Sequence, residues 1–169
     1  MKNVLMIIAE AQFRDEEYFQ PKKAMEEKGI GVQTASASLN IATGVLGGKV
    51  TPDMLIVDAD MKDYDALVLV GGGGAEQYYD DPAVHKLVRQ ADIQKKVVAA
   101  ICIAPVILAR AGVLKGKKAT VWYSEGGQIN KAGGKYTAAS VEKDGNIITA
   151  DGPGAAQGFA DELLKSLLD

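Results

Sequence analysis

Lys95-Lys-Val-Val-Ala-Ala-Ile-Cys-Ile-Ala-Pro-Val-Ile-Leu-Ala109 is the stretch whose reading decides the fold. Val97–Ile101 is a short apolar run rich in β-branched residues, the pattern of a strand buried on both faces. Cys102 follows it and is the only cysteine of the chain. Pro105 stands where a helix would take its first turn, and Val106–Ala109 continue as an apolar helical segment. The cysteine is therefore expected on a turn between a central strand and a helix. A nucleophile on such an elbow points out of the sheet. The unpaired N–H groups of the adjoining helix would favour a thiolate there. The competing reading is a buried cysteine that serves as a small hydrophobe.

Strand and helix patterns alternate on both sides of this elbow. Asn3–Ala9 is an apolar strand. Asp15–Lys28 reads as a helix with acids in its first turn and lysines later, which suits the helix dipole. Pro21 should kink it, and Gly29 and Gly31 should end it. Gly31–Ser36 is a second strand, and Asn40–Asp58 suggests a hairpin around Gly47-Gly48. Tyr64–Val70 is another buried strand, followed by four glycines. Asp81-Pro82 opens a helix reaching about Asp92, with an acid at the cap and proline in the first position. Beyond the elbow, Gly112 closes its helix and Lys117–Trp122 reads as a strand. Ser124–Ala132 is a short helix or turn. Tyr136–Val141 and Asn146–Ala150 predict a hairpin turning at Asp144-Gly145. Gly152-Pro153-Gly154 leads into a last amphipathic helix, Ala155–Leu168. This alternation, with strands apolar throughout, predicts one α/β domain, residues 1–169, with a mostly parallel, doubly wound sheet covered on both faces. Ligand sites in such sheets lie beyond the carboxyl ends of the strands. Cys102, Gly71–Gly74 and the loop Glu10–Arg14 all follow strands and should converge there.

Composition excludes several classes of function. The chain has 169 residues, is 47% apolar and 24% charged, and carries a net charge of −3 with both signs interspersed. That balance offers no footprint for nucleic acid. No apolar run approaches the ~18–20 residues of a membrane span. The first residues do not read as a signal peptide, because acids and a helix pattern follow Val4–Ala9. A single cysteine cannot form an internal disulfide, so the expectation is a reducing cytoplasm. One histidine and no Cys/His cluster argue against zinc, and no metal or organic cofactor is expected.

The four glycines fail as a dinucleotide motif. Gly-x-Gly-x-x-Gly would need glycine at 76 or 77, where Glu76 and Gln77 stand, and the run does not follow the first strand. It is either a tight turn or a source of N–H groups facing the cysteine or an oxyanion. Cys102 also lacks an obvious base. The one histidine, His85, sits beside Lys86 and Arg89 on what reads as a solvated helix face. That leaves Asp15, Glu16 and Glu17. Dipole complementarity on a wet helix end suits Asp15 and Glu16, one of the three could turn inward, and spacing does not say which.

The chain resembles the ThiJ/PfpI superfamily, which includes the Parkinson-associated protein deglycase and the PfpI-type intracellular peptidases. The similarity runs nearly end to end. It rests on the apolar first strand, Glu17-Tyr-Phe-Gln-Pro21, Tyr64-Asp-Ala-Leu-Val-Leu-Val-Gly-Gly72, Asp81-Pro82, Val98-Ala-Ala-Ile-Cys-Ile-Ala-Pro105 and Gly152-Pro-Gly154. The resemblance implies a flavodoxin-like fold and a homodimer or larger homo-oligomer. It implies that Cys102 is the elbow nucleophile, held in a strained backbone conformation, and that Glu17 is the carboxyl that meets its sulfur. It implies an anion hole formed by the N–H groups of Gly72 and Ile103. Two positions depart from the pattern. PfpI-type peptidases carry histidine directly after the cysteine, where this chain has Ile103. The Parkinson-associated branch has a histidine on the following strand, at the position of Trp122, which would instead line the pocket.

The expected activity is therefore a cysteine–glutamate chemistry on small reactive carbonyls such as methylglyoxal, or on glycated protein groups. The alternatives are a redox sensor with an oxidisable Cys102 and a cysteine peptidase or hydrolase. A protonated Glu17 that donates to the sulfur should have a raised pKa, and Cys102 a lowered one, as a coupled pair.

Overall fold

A computed structural model describes all residues from Met1 to Asp169. Its strands, in chain order, are β1 (Asn3–Ile7), β2 (Ala11–Phe13), β3 (Gly31–Ser36), β4 (Ala42–Gly44), β5 (Lys49–Val50) and β6 (Met54–Leu55). They continue with β7 (Ala66–Leu69), β8 (Val97–Ile101), β9 (Lys118–Ala119), β10 (Lys135–Tyr136), β11 (Val141–Asp144) and β12 (Ile147–Ala150). The helices are α1 (Asp15–Glu27), α2 (Pro82–Ile93), α3 (Pro105–Ala111), α4 (Gly126–Lys131) and α5 (Ala156–Leu168).

Seven strands form the main sheet in the order β11-β12-β8-β7-β1-β3-β6. All pairs are parallel except β11 with β12. The five parallel strands at its centre, β3-β1-β7-β8-β12, have the flavodoxin-like order. The two faces can be read off the alternation of side chains, which has period two in a strand. Leu5 and Ile7 of β1, Leu67 and Leu69 of β7, and Val98 and Ala100 of β8 pack with α2 and α3. Val4, Met6, Ala66, Val68, Ala99 and Ile101 point the other way, against Tyr18 and Met25 of α1 and Phe159, Leu163 and Leu167 of α5. Both sides of these strands must be apolar, and this is why they read as continuous hydrophobic runs.

Local chemistry sets the helix ends. The Asp81 carboxylate accepts from the N–H groups of Ala83 and Val84, at 2.8 and 3.2 Å, ahead of Pro82. Gly112 adopts φ 87° to close α3. α1 runs unbroken through Pro21. A proline there cannot donate to the carbonyl of Glu17 four residues back, so that carbonyl loses its helical partner.

Two expectations about elements change and a third holds. Lys117–Trp122 contributes only the two-residue β9, which pairs in parallel with β10 in a small sheet of their own. The hairpin strand begins at Val141 rather than Tyr136, because Lys135–Tyr136 is engaged by β9. The predicted hairpin around Gly47-Gly48 forms from β4 and β5, and β2 adds to it in parallel.

The chain moves from β1 to β3 on one side and from β7 to β8 on the other. The sheet order therefore reverses between β1 and β7, and the loops beyond their carboxyl ends flank a crevice. That is where the segments before α1, after β7 and after β8 meet.

Candidate active site

Cys102 sits directly after β8 with φ 65°. A residue with a side chain seldom adopts this left-handed conformation, which costs roughly 1–3 kcal/mol and persists only where surrounding bonds enforce it. Here they do. The Cys102 N–H donates to the Ala150 carbonyl at 2.9 Å, and its carbonyl accepts from the Trp122 N–H at 2.8 Å. The elbow is thus tied to β12 on one side and to the segment after β9 on the other. The resulting turn directs the N–H groups of Gly72 and Ile103 at the sulfur. α3 is only seven residues long. The charge complement to the sulfur therefore comes from those two amides rather than from a long helix dipole.

Gly71 and Gly72 have separate steric reasons to be glycine. A Cβ on Gly71 would lie 2.5 Å from the Cys102 Cβ, from Glu17 Oε1 and from the Ile101 carbonyl oxygen. Gly72 adopts φ 96°, and a Cβ there would meet Arg14 N at 2.5 Å as well as the Gln12 carbonyl. The segment leading into α1 lies directly on this turn, and the Arg14 N–H donates to the Gly71 carbonyl at 2.9 Å. A Gly71 side chain would displace both the thiol and the acid.

Of the three acids that open α1, Glu17 is the one that turns inward, and it is fully buried. Neither of its oxygens has a well-formed hydrogen bond, and the groups facing it are the Cys102 thiol and the Gly71 N–H. Burial pushes its pKa from 4.5 up to about 8, against the opposing pull of the Cys102 contact, the Gly71 N–H and the Arg14 charge. At neutral pH the carboxyl therefore keeps its proton, as expected. The expectation for the thiol is reversed. Burial, and then the Glu17 charge, push Cys102 from 9.0 up to about 12, although the Gly72 and Ile103 amides oppose this. The reason is mutual: two acids share one dry site, and a second negative charge would repel the first. The pair accordingly holds both protons at neutral pH, and the first to leave gives one charge shared between them.

Of the other two acids, Glu16 stays on the solvent side of the helix end and Asp15 does not. Asp15 is buried and accepts from the N–H groups of Leu46 and Gly48, at 2.7 and 2.8 Å. It clasps the loop between β4 and β5 onto α1. Glu16 binds the Arg14 guanidinium through Nε at 3.0 and 3.2 Å and Nη2 at 2.9 Å.

Cys102 is 8% exposed and opens into a cavity of about 350 Å³, lined also by Arg14, Val45, Gly72, Gly73, Ile103, Trp122 and Pro153. Trp122 therefore does line the pocket. Its ring lies over Gly152, where a Cβ would come within 2.9 Å of it. Tyr18 and Phe19 do not join it. They pack on Phe13 and border a different groove, with the Tyr18 hydroxyl 2.7 Å from Thr34 Oγ1. His85 is buried rather than solvated, and its Nε2 is 2.8 Å from the Tyr79 carbonyl oxygen. No group of three His, Cys, Asp or Glu side chains is arranged to hold a metal ion. No helix is long and apolar enough to cross a membrane.

Sequence reasoning passed over Arg14 as a site residue. Its signal is a misfit: a cation preceding a helix opposes the dipole that the three acids after it complement.

A doubly wound sheet carrying a left-handed cysteine elbow, a buried glutamic acid and two amides aimed at sulfur defines a cysteine–carboxyl protein class. The DJ-1/PfpI family model matches residues 2–166, and the chain belongs to this family. It is 44% identical to a Methanocaldococcus jannaschii protein called uncharacterized, over 99% of this chain and 84% of the other. It is 31% identical to Deglycase PfpI of Pyrococcus furiosus, over 96% of this chain and 98% of that one. The crystal structure of a ThiJ/PfpI domain protein from Brachyspira murdochii superposes with a TM-score of 0.95 at 31% identity. That match covers 98% of this chain and 96% of the other.

Proposed function

We propose that the protein acts on small reactive carbonyls, or on their adducts with protein groups, through Cys102 and Glu17 and without a metal or organic cofactor. The observation that carries this is the fully buried, protonated Glu17 against the only cysteine, with no imidazole at the thiol. Membership of a family that includes a protein named deglycase agrees with it.

For a 2-oxoaldehyde the chemistry balances within these groups. When the pair has lost one proton, the carboxyl carries most of the charge, because Glu17 ionises before Cys102. The reacting form is the minor tautomer in which the thiol has passed its proton to Glu17 and the charge on sulfur faces the Gly72 and Ile103 amides. The thiolate adds to the aldehyde carbon, the carbonyl π pair moves to oxygen, and Glu17 supplies a proton to that oxygen. The resulting carboxylate takes the C–H proton of the hemithioacetal and returns it to the neighbouring carbon through an enediol, which leaves a thioester. Water adds to the thioester, expels the thiol and yields a 2-hydroxy acid. The two amides steady the oxyanions of the addition and hydrolysis steps, a role whose loss typically costs 10²–10³ in rate in related sites. Conversion of methylglyoxal to lactate, followed by proton NMR, tests this reading. The turnover should vanish in Cys102→Ser and Glu17→Gln, and a Cys102→Ser protein of unchanged activity would refute it.

A second reading is a redox sensor. The same amides and carboxyl that face the sulfur could hydrogen-bond the oxygens of a sulfenic or sulfinic acid. Mass spectrometry after peroxide treatment separates the two, since a sensor gains oxygen at Cys102 and forms no lactate. A peptidase is disfavoured by Ile103 and Trp122 at the positions that would hold histidine.

Association as a homodimer or larger homo-oligomer is proposed as well. Val45, which lines the cavity, is exposed, as are Leu46 and Tyr123, the residues that follow the lining residues Val45 and Trp122 in the chain. Sedimentation showing only a 17.8 kDa monomer at micromolar concentration would count against it. A lone thiol that must stay reduced fits the cytoplasm.

A further inference from the structure

Every side chain lining the cavity over Cys102 is uncharged or absent except that of Arg14. The walls are otherwise Val45, Ile103, Trp122, Pro153 and two glycines. Such a lining gives a small polar carbonyl compound little to hold. The guanidinium is fixed from behind. Its backbone N–H is tied to Gly71, and Glu16 grips the edge formed by Nε and Nη2. Nη1 makes no hydrogen bond within the protein, and the side chain keeps 32% of its exposure. A planar group clamped along one edge, with Nη1 unbonded and the residue lining the cavity, is already ordered for an oxyanion with two oxygens. The clamp also lowers the entropy that this arginine would lose on binding an anion. Arg14 is close enough to the reacting pair for its charge to be felt at both Glu17 and Cys102.

We infer that Arg14 is a specificity-determining residue, which makes the site select carbonyl compounds carrying a carboxylate or phosphate close to the carbonyl. The anion would rest on the free edge of Arg14 while the carbonyl carbon faces the sulfur. This rests on Cys102 as the attacking group, but not on which product follows.

The test compares two alkylating reagents of nearly the same shape, iodoacetate and iodoacetamide. In both, the thiolate displaces iodide from a methylene carbon, and only one carries the anion. The readout is the ratio of their second-order rates, because a change in thiol pKa moves both alike. Wild type should react with iodoacetate in relative excess over free thiols. Arg14→Gln should lower the ratio about tenfold, and Arg14→Lys should retain part of it, as a point charge without the fork. Raising ionic strength should shrink the wild-type preference.

Reversible protection of Cys102 against iodoacetamide distinguishes the two anion types. Glyoxylate and glycolaldehyde phosphate are compared with neutral glycolaldehyde, and at least one anion should protect at lower concentration than the neutral aldehyde in wild type only. The outcomes separate cleanly. A reactive thiol whose ratio is unchanged in Arg14→Gln, or whose two rates fall equally, overturns the role of Arg14 and leaves the carbonyl reading standing. A folded wild-type protein inert to both reagents overturns the two together.

Discussion

Replacing Glu17 by glutamine should make the pH dependence of stability shallower, by an amount the structure sets. In the unfolded chain this carboxyl ionises near 4.5, and in the folded protein burial holds it at about 8. Between those values the unfolded state has released the proton and the native state has not. The stability linked to Glu17 is therefore fully present below pH 4.5 and is lost as the pH rises through about 8. Each pH unit in that window is worth ~1.4 kcal/mol. The loss should reach about 3 kcal/mol at pH 7 and about 5 kcal/mol above pH 8. Glutamine has no such proton. Any fixed cost of burying its amide is the same at every pH and cancels when the difference from wild type is compared across the series. Urea unfolding followed by far-UV circular dichroism, from pH 4.5 to 8.5 at one protein concentration, measures that difference. It should move in favour of Glu17→Gln by about 3 kcal/mol between pH 4.5 and 7. The thiol titrates above this range, so it does not confuse the comparison. A difference that stays constant across the series would mean that Glu17 ionises normally, and the buried acid–thiol pair would be wrong.

Gly71→Ala should abolish alkylation of Cys102 and lower stability by ~1–3 kcal/mol, because the new methyl would collide with the thiol, the acid and the β8 backbone. Iodoacetamide kinetics and thermal melting check it. Asp15→Ala leaves the Leu46 and Gly48 amides without their acceptor, which should cost ~1–3 kcal/mol and speed hydrogen exchange at those two positions first. Casein or an unactivated peptide should not be cleaved measurably. The thiol has no imidazolium near it to protonate a leaving amine, and such help is worth ~10²–10⁴ in rate. Turnover that disappears in Cys102→Ala would reverse this expectation.

The layered sheet was legible because burial on both faces forces β1, β7 and β8 to be apolar throughout. The elbow was legible for the same reason, since a β-branched run halts at a cysteine and resumes after a proline. The small β9–β10 pair was not. Val121 and Trp122 continue an apolar pattern that the chain uses for packing over the elbow rather than for pairing. Choosing among Asp15, Glu16 and Glu17 was beyond spacing too, since helical residues at consecutive positions point about 100° apart and only the tertiary neighbours decide which faces inward. Family resemblance picked Glu17. It could not reveal that Asp15 holds the β4–β5 loop or that Glu16 holds Arg14. The thiol shifts up rather than down because the dryness of the site outweighs the helix N–H groups and the carboxyl that the sequence places beside the sulfur.

The cavity over the sulfur is bordered by the chain's single tryptophan as well as its single cysteine. Nature has thereby supplied the pocket with a matched pair of reporters. Indole emission comes from one half-exposed ring at the mouth, so a quencher or a bound guest there alters the whole signal rather than a fraction of it. One fluorophore or fluorine tag on the sulfur would label the floor and nothing else, giving a short-range energy-transfer gauge of the site without any engineered position. The same arrangement warns against using indole emission to follow denaturation, since a loosened rim would register as unfolding while both cores remained intact.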